Sequence, residues 1–215
     1  MVGRTEAPVP ELPGIDVSRE TMERLQFFAV ELSKWNRTIN LVAPNEIDRL
    51  WQRHIIDSAQ LWNYRHPATT QWVDLGSGGG LPGVVLAVIA AQYAADASFH
   101  LVESDIRKAA FLRMIAAQLS LPVTVHAKRA EAVPPLGART VTARALAPLS
   151  LLIPLALPHL AKDGLAIFPK GQSWKDEVAE ASHAWRFSVT PHSSVLDSRA
   201  AILQISDISR IGKKY

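Results

Sequence analysis

Asp74-Leu75-Gly76-Ser77-Gly78-Gly79-Gly80-Leu81-Pro82-Gly83 is the stretch whose reading decides the fold. It follows a short apolar run, residues 71–75, that predicts a strand. It opens a longer apolar run, 82–95, that predicts a helix with Pro82 in its first turn. Glycines at such a junction let the chain turn tightly and let a ligand approach the backbone closely. The helix start adds N–H groups without intrahelical partners. So many glycines in one turn cost chain entropy, which points to a bound ligand rather than an empty loop.

Downstream, short β-like runs alternate with helical ones. Strands are expected at 99–103, 123–127, 140–143 and 165–168, and helices at 105–119, 148–160 and 173–184. Two final strands, 187–190 and 200–205, follow one another directly. This alternation implies an α/β protein with a mostly parallel sheet, helices on both faces and an antiparallel edge at the C-terminal end. Upstream the texture differs. Residues 1–17 are expected as a flexible tail, with 1–14 loose, and 18–66 as a helical extension; the sheet domain takes 67–215. Ser18 is a good N-cap. Met22, Leu25, Phe28, Ala29, Leu32 and Trp35 then recur at helical spacing. A second helix is expected over 46–64, and Trp35, Trp51 and Trp62 are expected in the core.

Composition narrows the function. The 215 residues carry a formal charge of +3 and a pI near 9.3, which permits contact with phosphate without demanding it. With no cysteine, disulfides, thiolate metal sites and cysteine nucleophiles are excluded. The seven histidines are scattered, with no H-x-x-x-H pair, and no metal site is expected. There is no G-x-S-x-G elbow and no G-K-[ST] loop. The N-terminus does not resemble a signal peptide, and prolines 148, 154 and 158 break the most apolar stretch. The expected location is therefore the cytoplasm, without membrane contact. Nothing requires a dimer, and a monomer is expected.

Two ligands fit the glycine loop. Gly78, Gly80 and Gly83 satisfy the dinucleotide pattern G-x-G-x-x-G, which would make the chain an NAD-dependent oxidoreductase. Asp74, Gly76, Gly78 and Gly80 satisfy D-x-G-x-G-x-G, which resembles the first motif of class I methyltransferases. The carboxylate of Asp74 would crowd the phosphates of NAD but suits a cationic, phosphate-free ligand such as S-adenosylmethionine, so the second reading is favoured. Glu103, ending the second strand, is placed to accept hydrogen bonds from ribose hydroxyls. Ala130 and Glu131 follow the third strand, where such folds hold adenine; a plain surface loop fits these residues equally well. Arg144 ends the fourth strand, placed for a cofactor carboxylate, for RNA or for a surface ion pair. Lys170, ending the fifth, shares that rim and as a cation suits phosphate. His54 lies on the apolar stripe of the second helix and is expected half-buried.

Methyl transfer from a sulfonium needs alignment and exclusion of water. Pyrimidine C5 normally needs a cysteine, absent here. Exocyclic amines are usually served by an Asn- or Asp-Pro-Pro-aromatic motif, where this chain reads Ala143-Arg144-Ala145-Leu146-Ala147-Pro148. Guanine N7 is a bare acceptor and needs no base, so a site without an obvious base or nucleophile points toward an acceptor such as a ring nitrogen without fixing the target.

Trp35-Asn36, Asn40-Leu41, Arg53-His54, Asp57-Ser58, the glycine loop, Glu103-Ser104, Phe111-Leu112, Arg129-Ala130-Glu131, Arg144-Ala145 and Lys170-Gly171 occur in this order. The ordered set, over roughly residues 20–206, resembles the bacterial RsmG (GidB) family, which methylates guanine N7 in the decoding-region loop of 16S ribosomal RNA. The resemblance implies a class I methyltransferase fold, S-adenosylmethionine as cofactor, and 16S rRNA within the small ribosomal subunit as partner. It implies cofactor contacts from Gly76, Leu81, Ala130, Glu131 and Arg144, and from Asp74, Gly78 and Glu103 through the wider class. It leaves Arg144, Lys170 and His54 as candidates near the acceptor, with Arg53 and Asn36 beside the RNA or supporting the pocket. Val42 and Arg139-Thr140 depart from the family's usual Thr and Phe-Asp, on the RNA side of the pocket. A non-catalytic module that binds cofactor and RNA during assembly is the alternative within the same resemblance.

Overall fold

The computed structural model describes residues 11–212. One seven-stranded sheet forms its centre, in the order β3-β2-β1-β4-β5-β7-β6. The strands are β1 (Gln71–Leu75), β2 (Ser98–Val102), β3 (Val123–His126), β4 (Ala138–Ala143), β5 (Leu160–Lys170), β6 (Trp185–Ser193) and β7 (Ala201–Arg210). β1 to β5 are parallel; β7 runs antiparallel to both β5 and β6. The final two strands do form an antiparallel pair, but β7 inserts beside β5 and leaves β6 as the edge.

The helices are α1 (Arg19–Trp35), α2 (Asp57–Ala59), α3 (Gly83–Tyr93), α4 (Ile106–Gln118), α5 (Leu149–Ala156) and α6 (Trp174–Ala181). Ser18 caps α1 by accepting from the Thr21 N–H at 3.1 Å. Asp105 caps α4 through the N–H groups of Arg107 and Lys108. The expected second helix is one helical path in four geometries: a 3₁₀ turn (Pro44–Arg49), a π turn (Trp51–Ile56), α2, and a second 3₁₀ turn (Gln60–Tyr64). A π turn shifts the side-chain phase, a register change that hydrophobic periodicity does not report.

α3 explains why the extension exists. Gly83-Val-Val-Leu-Ala-Val-Ile-Ala90 is buried at every position, so this helix has no face suited to water. The sheet covers one side; α1 and α2 pack on α3 from the other. Met22, Leu25, Phe28 and Leu32 of α1 share one apolar cluster with α3 and with Trp72 and Phe99 of the sheet. The texture boundary near residue 67 therefore lies inside a continuous core. Trp62 is buried against Trp72, rings stacked at 6.2 Å, and Trp35 and Trp51 pack half-buried on the same cluster.

The expected tail is only partly described. Residues 1–10 lie outside the described range, but Leu12 and Ile15 are buried in the core. Gln92 Nε2 donates to the Asp16 carbonyl at 3.2 Å, so the chain is held from Leu12 onward rather than loose to residue 14. Among the described residues no helix is long and apolar enough to cross a membrane.

Candidate functional site

The crevice lies at the carboxyl ends of β1, β2 and β4, where strand order reverses on either side of β1, the usual binding position in open α/β sheets. The glycine loop crosses it in a path few other residues could follow. Gly76, Gly78 and Gly80 have φ of +66°, +54° and +88°, the left-handed region that strains an L side chain. Gly76 and Gly78 border the crevice, while Gly80 turns inward, where a Cβ would stand 2.6 Å from Val84 Cγ2.

Asp74 lies beneath this loop. It is 1% exposed and accepts from Thr142 Oγ1 at 2.8 Å and from the Gly83 N–H at 3.2 Å. Burial pushes its carboxyl up to about 6, against the downward pull of those donors. Asp74 lines neither of the cavities described next; it braces loop and helix from behind. By taking the first N–H of α3 it also occupies a donor that a dinucleotide diphosphate would need.

Two cavities flank Gly76 and Gly78. The first, about 320 Å³, is lined by Glu103, Ala130, Glu131 and Arg144. The second, about 420 Å³, is lined by Leu81, His54 and Arg144. Every cofactor residue expected from the sequence except Asp74 borders one or both. Glu103 is 8% exposed. Its two oxygens accept from the Gly78 N–H at 2.9 Å and the Asp105 N–H at 2.7 Å, and each oxygen keeps a further acceptor site. Ala130 and Glu131 sit on a short 3₁₀ turn (Ala130–Ala132) after β3.

Arg144 joins the cavities. Its Nη1 donates to Asp57 Oδ2 at 3.1 Å and its Nη2 to His54 Nδ1 at 2.9 Å. With Nδ1 accepting, the proton of neutral His54 sits on Nε2, 2.9 Å from Glu46 Oε2 but off the hydrogen-bond direction. That contact is electrostatic. Burial lowers the His54 pKa, and the Arg144 charge adds to this against an opposing pull from Glu46. His54 is buried, more deeply than expected, and is a neutral acceptor for Arg144 near pH 7.

A third cavity, about 550 Å³, opens on the other side of Arg144 and is lined by Lys170, Pro148 and Ser194. Lys170 borders it but is engaged: its ammonium lies 2.7 Å from Glu177 and donates to the Ala147 carbonyl at 2.8 Å. Glu177 in turn accepts from the Leu149 N–H at the start of α5. Lys170 therefore fixes the β4–α5 loop. That loop carries Leu146, whose side chain lies over Gly76 so closely that a Cβ there would stand 2.7 Å from Leu146 Cδ1. Arg53 borders the second cavity. Asn36 caps α1 and accepts from the Leu41 and Val42 N–H groups at 2.8 and 2.9 Å, so it shapes the following loop from outside the cavities.

Sequence reasoning missed Glu46, Gln60, Leu146 and the β6–β7 loop. Gln60 lies three residues after Asp57 and Leu146 directly after Arg144-Ala145, whereas Glu46 and the loop lie beside no motif. Among the described residues no cluster of three or more His, Asp or Glu is placed to hold a metal.

A doubly wound sheet with its last strand pair reversed, a bare glycine loop after β1 and a carboxylate at the end of β2 define the class I methyltransferase fold. Solved structures agree. A SAH-bound methyltransferase from Podospora anserina superposes with a TM-score of 0.59 at 12% identity, over 89% of this chain and 97% of that one. A methyltransferase from Geobacter sulfurreducens gives 0.56 at 13% identity, over 90% of both chains. Within this class the sequence profile of the GidB family, described as rRNA small subunit methyltransferase G, matches residues 21–205. Ribosomal RNA small subunit methyltransferase G of Cereibacter sphaeroides is 47% identical over 207 residues, 96% of this chain and all of that protein. Its namesake from Ruegeria is 47% identical over 197 residues, 92% of this chain and 96% of that protein. The chain belongs to the GidB family.

Proposed function

We propose that this chain transfers a methyl group from S-adenosylmethionine to guanine N7 of 16S ribosomal RNA in the small ribosomal subunit, acting in the cytoplasm as a monomer. The observation that carries the reading is the pairing of a bare glycine loop with Glu103 across one crevice, in a chain of this family. S-adenosylmethionine supplies the methyl group: the N7 lone pair forms the new C–N bond, the methyl–sulfur bond breaks, and the positive charge passes to the guanine ring without a proton moving. No base is required for this acceptor, and the two candidate side chains that could act as one are both engaged. His54 accepts from Arg144, and Lys170 is paired with Glu177.

The residues fit this ligand. Glu103 has acceptor capacity left for a ribose diol, and Ala130 with Glu131 borders the same cavity for the adenine. Gly76, Gly78 and Leu81, which border the second cavity, would face the end of the ligand that carries the methyl group. Arg144 offers a cation to the amino-acid carboxylate. Asp74 contributes indirectly, by fixing the loop. The catalytic work left to the protein is orientation and exclusion of water, and Arg144, between the cavities, is the residue best placed for it. The extension, 18–66, gives the sheet domain its second wall through His54 and Asp57.

The reading is tested by incubating the chain with methyl-labelled S-adenosylmethionine and ribosomal subunits from cells lacking this enzyme. Label entering small-subunit RNA and not large-subunit RNA is expected. Equal labelling of both, or of neither, overturns it.

A further inference from the structure

Gln60 is a buried amide, 2% exposed, whose partners lie at opposite ends of the chain. Its Oε1 accepts from the Val195 N–H at 3.0 Å. Its Nε2 donates to Asp57 Oδ1 at 2.8 Å and reaches Ser194 Oγ at 3.4 Å. Asp57 uses its other oxygen for Arg144. One side chain thus ties the β6–β7 loop to the arginine that joins the cavities.

The loop it holds has the character of a binding wall. Ser194 and Ala200 border the second and third cavities beside Arg144, and Leu196 borders the second, shared with Leu81 and His54. Leu196 is 36% exposed and its neighbour Val195 51%, two apolar residues in water beside a polar crevice. Asp197 and Arg199 pair with each other at 3.2 Å, so the loop's charges are mutually satisfied and its apolar atoms remain to meet a ligand. A flat nucleobase is such a ligand, because its face contacts apolar side chains without needing a hydrogen bond.

We infer that the β6–β7 loop is the wall against which the target guanine rests, with Leu196 making the apolar contact and Gln60 acting as the positioning residue that sets the loop relative to Arg144. The inference rests on the methyl-transfer reading above. A residue that merely holds the fold would lower stability and act independently of Leu196. A positioning residue must act through the loop, so its effect is coupled to that of Leu196.

Gln60→Ala, Leu196→Ser and the double variant are compared with the parent chain for S-adenosylmethionine affinity by calorimetry and for KM and kcat on unmethylated small subunits. Leu196→Ser lies on an exposed loop and keeps the test independent of folding. Each single variant is expected to raise KM for the subunit about tenfold, the scale of one lost base contact. Cofactor Kd should stay within about threefold, and the double variant should be no worse than the more damaging single one. Unchanged KM in Leu196→Ser overturns the wall. Multiplying effects in the double variant overturn the positioning role. A parent chain that binds S-adenosylmethionine but transfers nothing to the subunit overturns the function itself, and this inference with it.

Discussion

Glu103→Gln changes one atom in the crevice and reports on its binding role. Glu103 accepts one backbone N–H on each oxygen, from Gly78 at 2.9 Å and from Asp105 at 2.7 Å. An amide has one oxygen, so in either orientation its NH₂ must face one of these N–H donors. If it faces Gly78 the glycine loop must shift; if it faces Asp105 the start of α4 must. Leaving a buried donor without an acceptor costs about 1–3 kcal/mol. The same change removes a charged acceptor from the cofactor side, where a hydrogen bond to a charged group contributes about 1.5–3 kcal/mol. Cofactor Kd should therefore rise about 10- to 100-fold, while the melting temperature falls by several degrees. Calorimetric titration with S-adenosylmethionine well below the variant's melting temperature separates the two effects. A Kd within about twofold of the parent, with a lowered melting temperature, would refute the reasoning: Glu103 would then brace two backbone turns and take no part in binding.

Three further outcomes are expected. Gly83→Ala should destabilise the fold by roughly 2 kcal/mol or more in denaturant titration, because a Cβ there would meet Leu101 and stand 2.7 Å from Asp74 Oδ2; unchanged stability would show that this junction has room. Asp74→Asn should remove a pH dependence. The native carboxyl holds its proton up to about 6, against an ordinary value of 3.8, so its contribution, about 3 kcal/mol, is complete below the lower value and is lost as pH rises through the higher one. The stability difference between parent and variant should therefore change across that window, and a constant difference would contradict the assignment. Glu131→Ala should weaken cofactor binding more than His54→Ala in calorimetry, because Glu131 borders the cavity proposed for the adenine while His54 acts through Arg144, which keeps Asp57; the reverse order would overturn the site map.

The parts of this molecule legible in sequence are those that local chemistry dictates. The strand–glycine–helix junction could be read because left-handed φ values require glycine. α1 could be read because Ser18 caps it and its stripe repeats at helical spacing. Length was harder to read. β5 begins at Leu160, five residues before the expected strand, because the chain bulges past Gly164, where a Cβ would stand 2.7 Å from the Ala138 carbonyl. The place of β7 between β5 and β6 depends on which strand edge is free, which no local pattern encodes. The same limit governs the site. Gly76, Gly78 and Glu103 lie at strand ends and follow from topology. The path Glu46–His54–Arg144–Asp57–Gln60 joins segments about ninety positions apart in sequence, and a π turn that changes side-chain phase sets His54 within it. Asp74 was read for its charge; the fold uses its lone pairs, under the loop and out of the crevice.

The central claim is met most directly by locating the transferred methyl. Small subunits from cells lacking the enzyme are incubated with the chain and methyl-labelled S-adenosylmethionine, and the RNA is cut by chemistry selective for N7-methylguanine. A single cut in the decoding-region loop of 16S rRNA, absent without cofactor, is the predicted result. Label that resists this chemistry, or cuts elsewhere in the RNA, would contradict it.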